Sequence, residues 1–212
     1  MQITVFGATG GIGRHVVDQA LADGHDVVTY VRTPEKVDRY TPPLRVVVGE
    51  LSDPVAIQQA VQGSQAVISA LGPSLKRGAT GTPVTDGTRN ILKAMQATGV
   101  DRFIGLATPS VPDPRDQPTL KGRALPVLAR LMFPNALTEL RGMTQAVTES
   151  GLNWTLARIT SPTDKPATGR VRAGFLGRDD VGSAMTRADI ARFLLDQVTD
   201  DTYRQAAPAI SN

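Results

Sequence analysis

The strongest constraint on this chain is a run of glycines, Gly7-Ala8-Thr9-Gly10-Gly11-Ile12-Gly13, set directly behind the β-rich stretch Gln2 to Phe6. Beyond it, Ile12, Val16, Val17, Ala20 and Leu21 recur at helical spacing and make one apolar stripe, with Gly24 as its stop signal. A strand that passes through glycines into an amphipathic helix is the setting of a phosphate-binding turn. Such a turn needs torsion angles that side chains forbid, and a phosphate reaches the backbone only where no Cβ intervenes. Amides at the helix start then face the anion, and the helix dipole adds about 0.3 to 1 kcal/mol. The spacing is GxxGxxG rather than the better-known GxGxxG, and a tight turn without ligand is the competing reading.

Three further β-rich runs, Asp26 to Val31, Leu44 to Val48 and Ala66 to Leu71, alternate with helical stretches. Helix starts are read at Thr33 with Pro34 and at Asp53 with Pro54, where a first-turn proline costs no hydrogen bond. Val84 to Thr98 and Glu139 to Ser150 read as helices, and Arg102 to Ala107 and Trp154 to Ile159 as a fifth and sixth strand. Thr186 and Asp189 have capping-box spacing, with aspartate in place of glutamate, ahead of Ile190, Phe193, Leu194 and Val198. The alternation predicts an α/β fold: a Rossmann-like, doubly wound, mainly parallel sheet of about six strands with helices on both faces. Residues 1–212 are read as one NAD(P)-binding domain. Its insertion at about 109–135 is broken by Pro109, Pro112, Pro114, Pro118, Pro126 and Pro134 and assigned to the substrate side. The apolar stretch Leu125 to Phe133 within it reads as a short lid helix.

Composition narrows the function. With 41% hydrophobic and 20% charged residues and no long apolar run, the sequence predicts a soluble protein without signal peptide or membrane span. Absence of cysteine excludes disulfides and a thiolate nucleophile, and His15 and His25 are too few for an ordinary zinc site, so no metal is assigned. The expected compartment is the cytoplasm. A net charge of +3 invites a nucleic-acid partner, but Arg170, Arg172 and Arg178 are interrupted by glycines and followed by Asp179 and Asp180. With 4% aromatic residues, the sequence points to a solvated face or an anion-attracting rim and not to a stacking surface.

Cofactor choice is written where the second strand ends. An acidic residue there would grip the ribose of NAD(H); the residue is Arg32, whose guanidinium suits the extra phosphate of NADP(H), with Thr33 beside it. NADP(H) is therefore preferred over NAD(H), against the reading of an ordinary exposed arginine with Thr33 as a helix cap. On the same edge, Leu51 is placed against the adenine ring, and Asp53 either accepts from the adenine amino group or caps a helix. Ala70, Leu71 and Gly72 end the fourth strand, where small residues admit the nicotinamide ribose.

These stretches, with Val31-Arg32-Thr33-Pro34, Gly49 to Asp53, Ser69 to Gly72, Ser150 to Arg158 and Thr186 to Ala191, resemble atypical short-chain dehydrogenases/reductases. The resemblance is to their NAD(P)-binding group, including NmrA-like proteins and flavin reductase/biliverdin-IXβ reductase enzymes. It implies NADP(H) at Gly7, Thr9, Gly10, Gly11, Ile12 and Gly13 and a substrate pocket over the nicotinamide. For the reductases it implies hydride transfer to flavins or related rings. Ile159 stands where the family has proline. The Tyr-x-x-x-Lys pair is absent, since Pro34, Leu44 and Ala207 follow Tyr30, Tyr40 and Tyr203 by four. That pair lets a phenol protonate an alkoxide, so carbonyl reduction by this route is disfavoured.

Thr108 and Ser110 are candidate groups for orienting nicotinamide or substrate; Thr108 otherwise satisfies backbone at a strand end. Arg158 either steers an anionic substrate or pairs with a carboxylate. Trp154 is assigned to the core. Two functions remain: an NADPH-dependent oxidoreductase acting on a small planar organic acceptor such as a flavin or quinone, and a non-catalytic NADP(H)-responsive regulator with a protein partner.

Overall fold

The computed structural model describes residues 1–37, 44–76, 79–119 and 130–212. The first half repeats strand and helix: β1 (Gln2–Phe6), α1 (Gly11–Ala22), β2 (Asp26–Val31), β3 (Arg45–Val48), α2 (Pro54–Val61), β4 (Ala66–Ser69) and α3 (Pro83–Thr98). β5 (Arg102–Ala107), α4 (Pro134–Thr148) and β6 (Asn153–Arg158) continue the pattern. Short strands β7 (Ser161–Thr163), β8 (Arg172–Gly174) and β9 (Ala184–Thr186) precede α5 (Arg187–Asp196) and β10 (Ala209–Ser211).

The main sheet has eight strands in the order β3-β2-β1-β4-β5-β6-β10-β8, and β7 pairs with β9 apart from it. Neighbours from β3 to β10 are parallel; only β8 joins β10 antiparallel. β4 is buried throughout and β1 all but at its first residue, so neither alternates between buried and exposed positions, as strands covered on both faces do not. One core unites Val5, Ile68 and Ile104 with Val16, Val17, Ile190 and Leu194 from α1 and α5. The opposite core sets Phe6, Val67 and Phe103 against Ile57, Ile91, Met95 and Val147 from α2, α3 and α4. This is the doubly wound Rossmann-like architecture. Among the described residues, no helix is long and apolar enough to cross a membrane.

Several local expectations change. The helix expected from Thr33 is a single 3-10 turn, Pro34–Lys36, within the described residues. α4 begins at Pro134, not Glu139, because proline fits the first helical turn. The sheet exceeds six strands because β8 and β10 are only three residues long, too short to show a period. Thr186 caps α5 by accepting from the Asp189 amide at 3.0 Å. The reciprocal half of the capping box is missing, because Asp189 accepts from the Thr168 and Gly169 amides at 2.8 and 3.0 Å while the Thr186 amide donates to Asn212. Most of the expected lid helix, residues 125–129, lies outside the described residues.

Candidate dinucleotide site

Register builds the site. Phe6 is level with Tyr30 on one side and Ser69 on the other, so β1, β2 and β4 release Gly7, Arg32 and Ala70 at one sheet edge. Strand order reverses between β1 and β4, and ligands of open α/β sheets bind at such a switch point. Gly7 has φ +77°, and a Cβ on it would come within 2.9 Å of the Ala70 carbonyl group. A Cβ on Gly13 would come within 2.7 Å of the Gly7 carbonyl carbon. Gly10 opens α1 without a side-chain cap, whereas α2 and α5 are capped by Asp53 and Thr186. The first amides of α1 have no acceptor within the helix and are available to an anion.

A cavity of about 660 Å³ spreads from this turn, with Gly7, Thr9, Arg32, Leu51, Leu71 and Gly72 in its walls. Arg32 is exposed and makes no hydrogen bond or ion pair among the described residues. Thr33, also exposed, forms no side-chain cap. Asp53 takes the capping role: its Oδ1 accepts from the Val55 and Ala56 amides at 3.1 and 3.0 Å. Leu51 is set by α3, where Gly87 leaves room for it and Asn90 donates to its carbonyl at 2.9 Å. Tyr30, another wall residue, donates to the Glu50 carbonyl at 2.7 Å. Burial foremost, with Asp53 and Glu50 adding to it, pushes its phenol up to about 12, so it stays protonated at neutral pH.

Sequence reasoning missed Asn135 and Glu139, which reach the same cavity from α4. Glu139 is 2% exposed. Its Oε1 accepts from the Val84 amide at 3.2 Å, and its Oε2 accepts from the Thr85 amide and hydroxyl at 2.8 Å each. It supplies the cap that Thr82 does not provide for α3. Gly142 lets the two helices meet here, since a Cβ would stand 2.7 Å from Thr85 Cγ2. The signal was present: Glu139 interrupts the buried stripe Ala136, Met143 and Val147.

A second cleft of about 580 Å³ adjoins the cavity and shares Ser74, Ala79 and Asn135 with it. Its apolar walls are Leu75, Leu131, Met132 and Phe133, with Lys76 beside them. Thr108 and Ser110 line neither space among the described residues; Ser110 is buried, and its amide approaches Thr108 Oγ1 at 3.5 Å. Of the two roles open to Arg158, the structure shows the carboxylate pair: it is 1% exposed and grips Asp116 through two bonds of 2.6 and 2.7 Å. Trp154 lies in the core.

The family model described as NAD(P)H-binding matches residues 7–201. The chain belongs to this NAD(P)H-binding family. Among curated relatives, (4-alkanoyl-5-oxo-2,5-dihydrofuran-3-yl)methyl phosphate reductase of Streptomyces griseus is 28% identical over 74% of this chain and 46% of its own length. The aligned stretch spans 12% of an uncharacterised Mycobacterium tuberculosis relative that is 32% identical over 49% of this chain. The fold matches the anaerobilin reductase ChuY of Escherichia coli, with a TM-score of 0.80 and 19% identity, over 100% of this chain and 97% of that one. It also matches a Veillonella parvula short-chain dehydrogenase/reductase in complex with NADP, with a TM-score of 0.77 and 19% identity, over 100% and 94% of the two chains. As a member of the NAD(P)H-binding family, this chain has a site that fits the cofactor. Cβ atoms at Gly7 and Gly13 would strike backbone, so these glycines let the turn close, and the amides of α1 and Arg32, without a partner among the described residues, complement phosphate charge.

Proposed function

We propose that this chain is an NADPH-dependent oxidoreductase that delivers a hydride to a flavin, quinone or similar planar acceptor. The observation that carries this reading is the adjacency of the two spaces: the dinucleotide cavity shares the wall residues Ser74, Ala79 and Asn135 with an apolar cleft. Leu131, Met132 and Phe133 are 77%, 59% and 41% exposed, an apolar surface fit to cover a flat ring. NADPH bound in the cavity supplies the hydride, and the acceptor gains it together with a proton from solvent. The chain's own part is to hold the two reactants in adjoining spaces, where orientation lowers the barrier without a dedicated acid. Arg32 selects the phosphorylated dinucleotide, Leu51 shelves the adenine and Gly72 admits the second ribose. The Streptomyces relative, itself a reductase, supports the same reaction class.

The test is NADPH oxidation by the purified protein with riboflavin, FMN, biliverdin and a quinone as acceptors. Acceptor-dependent turnover is expected, with KM raised for the accepted substrate by Phe133→Asp. Saturable NADPH binding without turnover on any of them would favour the non-catalytic regulator instead.

A further inference from the structure

Glu139 lines the dinucleotide cavity while making no ion pair among the described residues. Its charge is balanced by the start of α3, through the Val84 and Thr85 amides and the Thr85 hydroxyl. An ionised carboxylate offers about four lone-pair sites, and these three bonds leave acceptor capacity on Oε1, which holds only the 3.2 Å bond to Val84. An acceptor-only group at a cavity wall calls for a donor in the ligand. On the dinucleotide reading, Arg32 and Leu51 take up the adenosine end and α1 the pyrophosphate; Leu71, Gly72, Val84 and Asn135 line the same cavity with Glu139 and are left for the remainder of the ligand. The donors on that remainder are the ribose hydroxyls next to the nicotinamide and the carboxamide. Gly72 is the small residue by which that ribose comes close.

We infer that Glu139 accepts a hydrogen bond from the ribose hydroxyls on the nicotinamide side of the dinucleotide, and so has a ligand-binding role besides capping α3. The inference rests on the dinucleotide reading of the cavity and is independent of which acceptor is reduced. Asn135, one helical turn earlier on α4, lies on the same wall beside the acceptor cleft. Glu139 would thereby fix the ribose, and through it the ring, facing that cleft.

Calorimetric titration separates the two roles of Glu139. In Glu139→Gln, NADPH affinity is expected to fall by about tenfold or more, the weight of one charge-assisted bond. Affinity for 2′,5′-ADP, which lacks the nicotinamide half, should stay within about twofold. NADH and ADP replace this pair if the chain prefers NADH. Parallel weakening of both ligands would overturn the inference, because it reports only a loosened α3. Unchanged NADPH affinity would overturn it as well, and so would a change confined to the ratio of NADP+ to NADPH affinity, the mark of a group acting on ring charge. If Glu139→Gln does not fold, the wild-type protein decides with an NADPH analogue carrying a deoxyribose on the nicotinamide side. Binding about tenfold weaker than NADPH supports the bond, and equal binding overturns it. Failure of the wild type to bind both NADPH and 2′,5′-ADP would remove the inference together with the dinucleotide reading itself.

Discussion

Gly13 sits against the carbonyl group of Gly7 so closely that a Cβ on Gly13 would lie within 2.7 Å of the Gly7 carbonyl carbon. The obstacle is backbone and cannot rotate away. Gly13→Ala is therefore expected to lose about 2 to 3 kcal/mol of stability and to spread the phosphate-binding turn. Gly72→Ala is the contrast: nothing lies within 4 Å of a Cβ there. It should leave stability within about 0.5 kcal/mol and act only on dinucleotide affinity. Urea unfolding of both variants checks the difference; equal losses would contradict it.

Arg32 is an exposed cation beside the cavity with no partner among the described residues. Replacement by aspartate repels the extra phosphate of NADP(H) and offers a carboxylate to ribose hydroxyls. Arg32→Asp is expected to shift preference toward NADH by about ten- to hundred-fold, the worth of a charged hydrogen bond. Retained NADPH selectivity in paired titrations would assign phosphate recognition to another residue.

Asp116 and the buried Arg158 form a largely buried pair that ties the segment after β5 to the end of β6. Burial alone would raise the Asp116 carboxyl, but bonds from Arg158 and from the Asp113 and Leu176 amides outweigh it and hold the carboxyl below the usual carboxylate range. A depressed carboxyl stabilises the fold above its unfolded pKa, and that contribution disappears as pH falls through the folded value. Asp116→Asn should cost about 3 kcal/mol at neutral pH and flatten the loss of stability on acidification below about pH 4. Stability curves at several pH values test this, and an unchanged acid slope would locate the titration elsewhere.

The sheet edge was legible in the sequence because Gly7, Gly10 and Gly13 constrain the backbone directly, and because β1 and β2 are long enough to show their character. β8 and β10 were not, since each is three residues held by partners far along the chain. Arg158 illustrates the same limit. Its charge is visible in sequence, but only folding brings Asp116 within 2.6 Å and turns a free cation into a buried clamp. Glu139 was readable in principle as a carboxylate inside an apolar stripe. Its partners Val84 and Thr85 lie more than fifty residues earlier, where no local pattern links them.

The most direct measurement is NADPH titration of the wild-type chain beside Gly10→Asp, whose added carboxylate would occupy the uncapped start of α1, where pyrophosphate belongs. Saturable binding to the wild type and its loss in a folded Gly10→Asp variant are the expected result. Equal affinity in the two folded proteins would show that the dinucleotide does not sit on this turn.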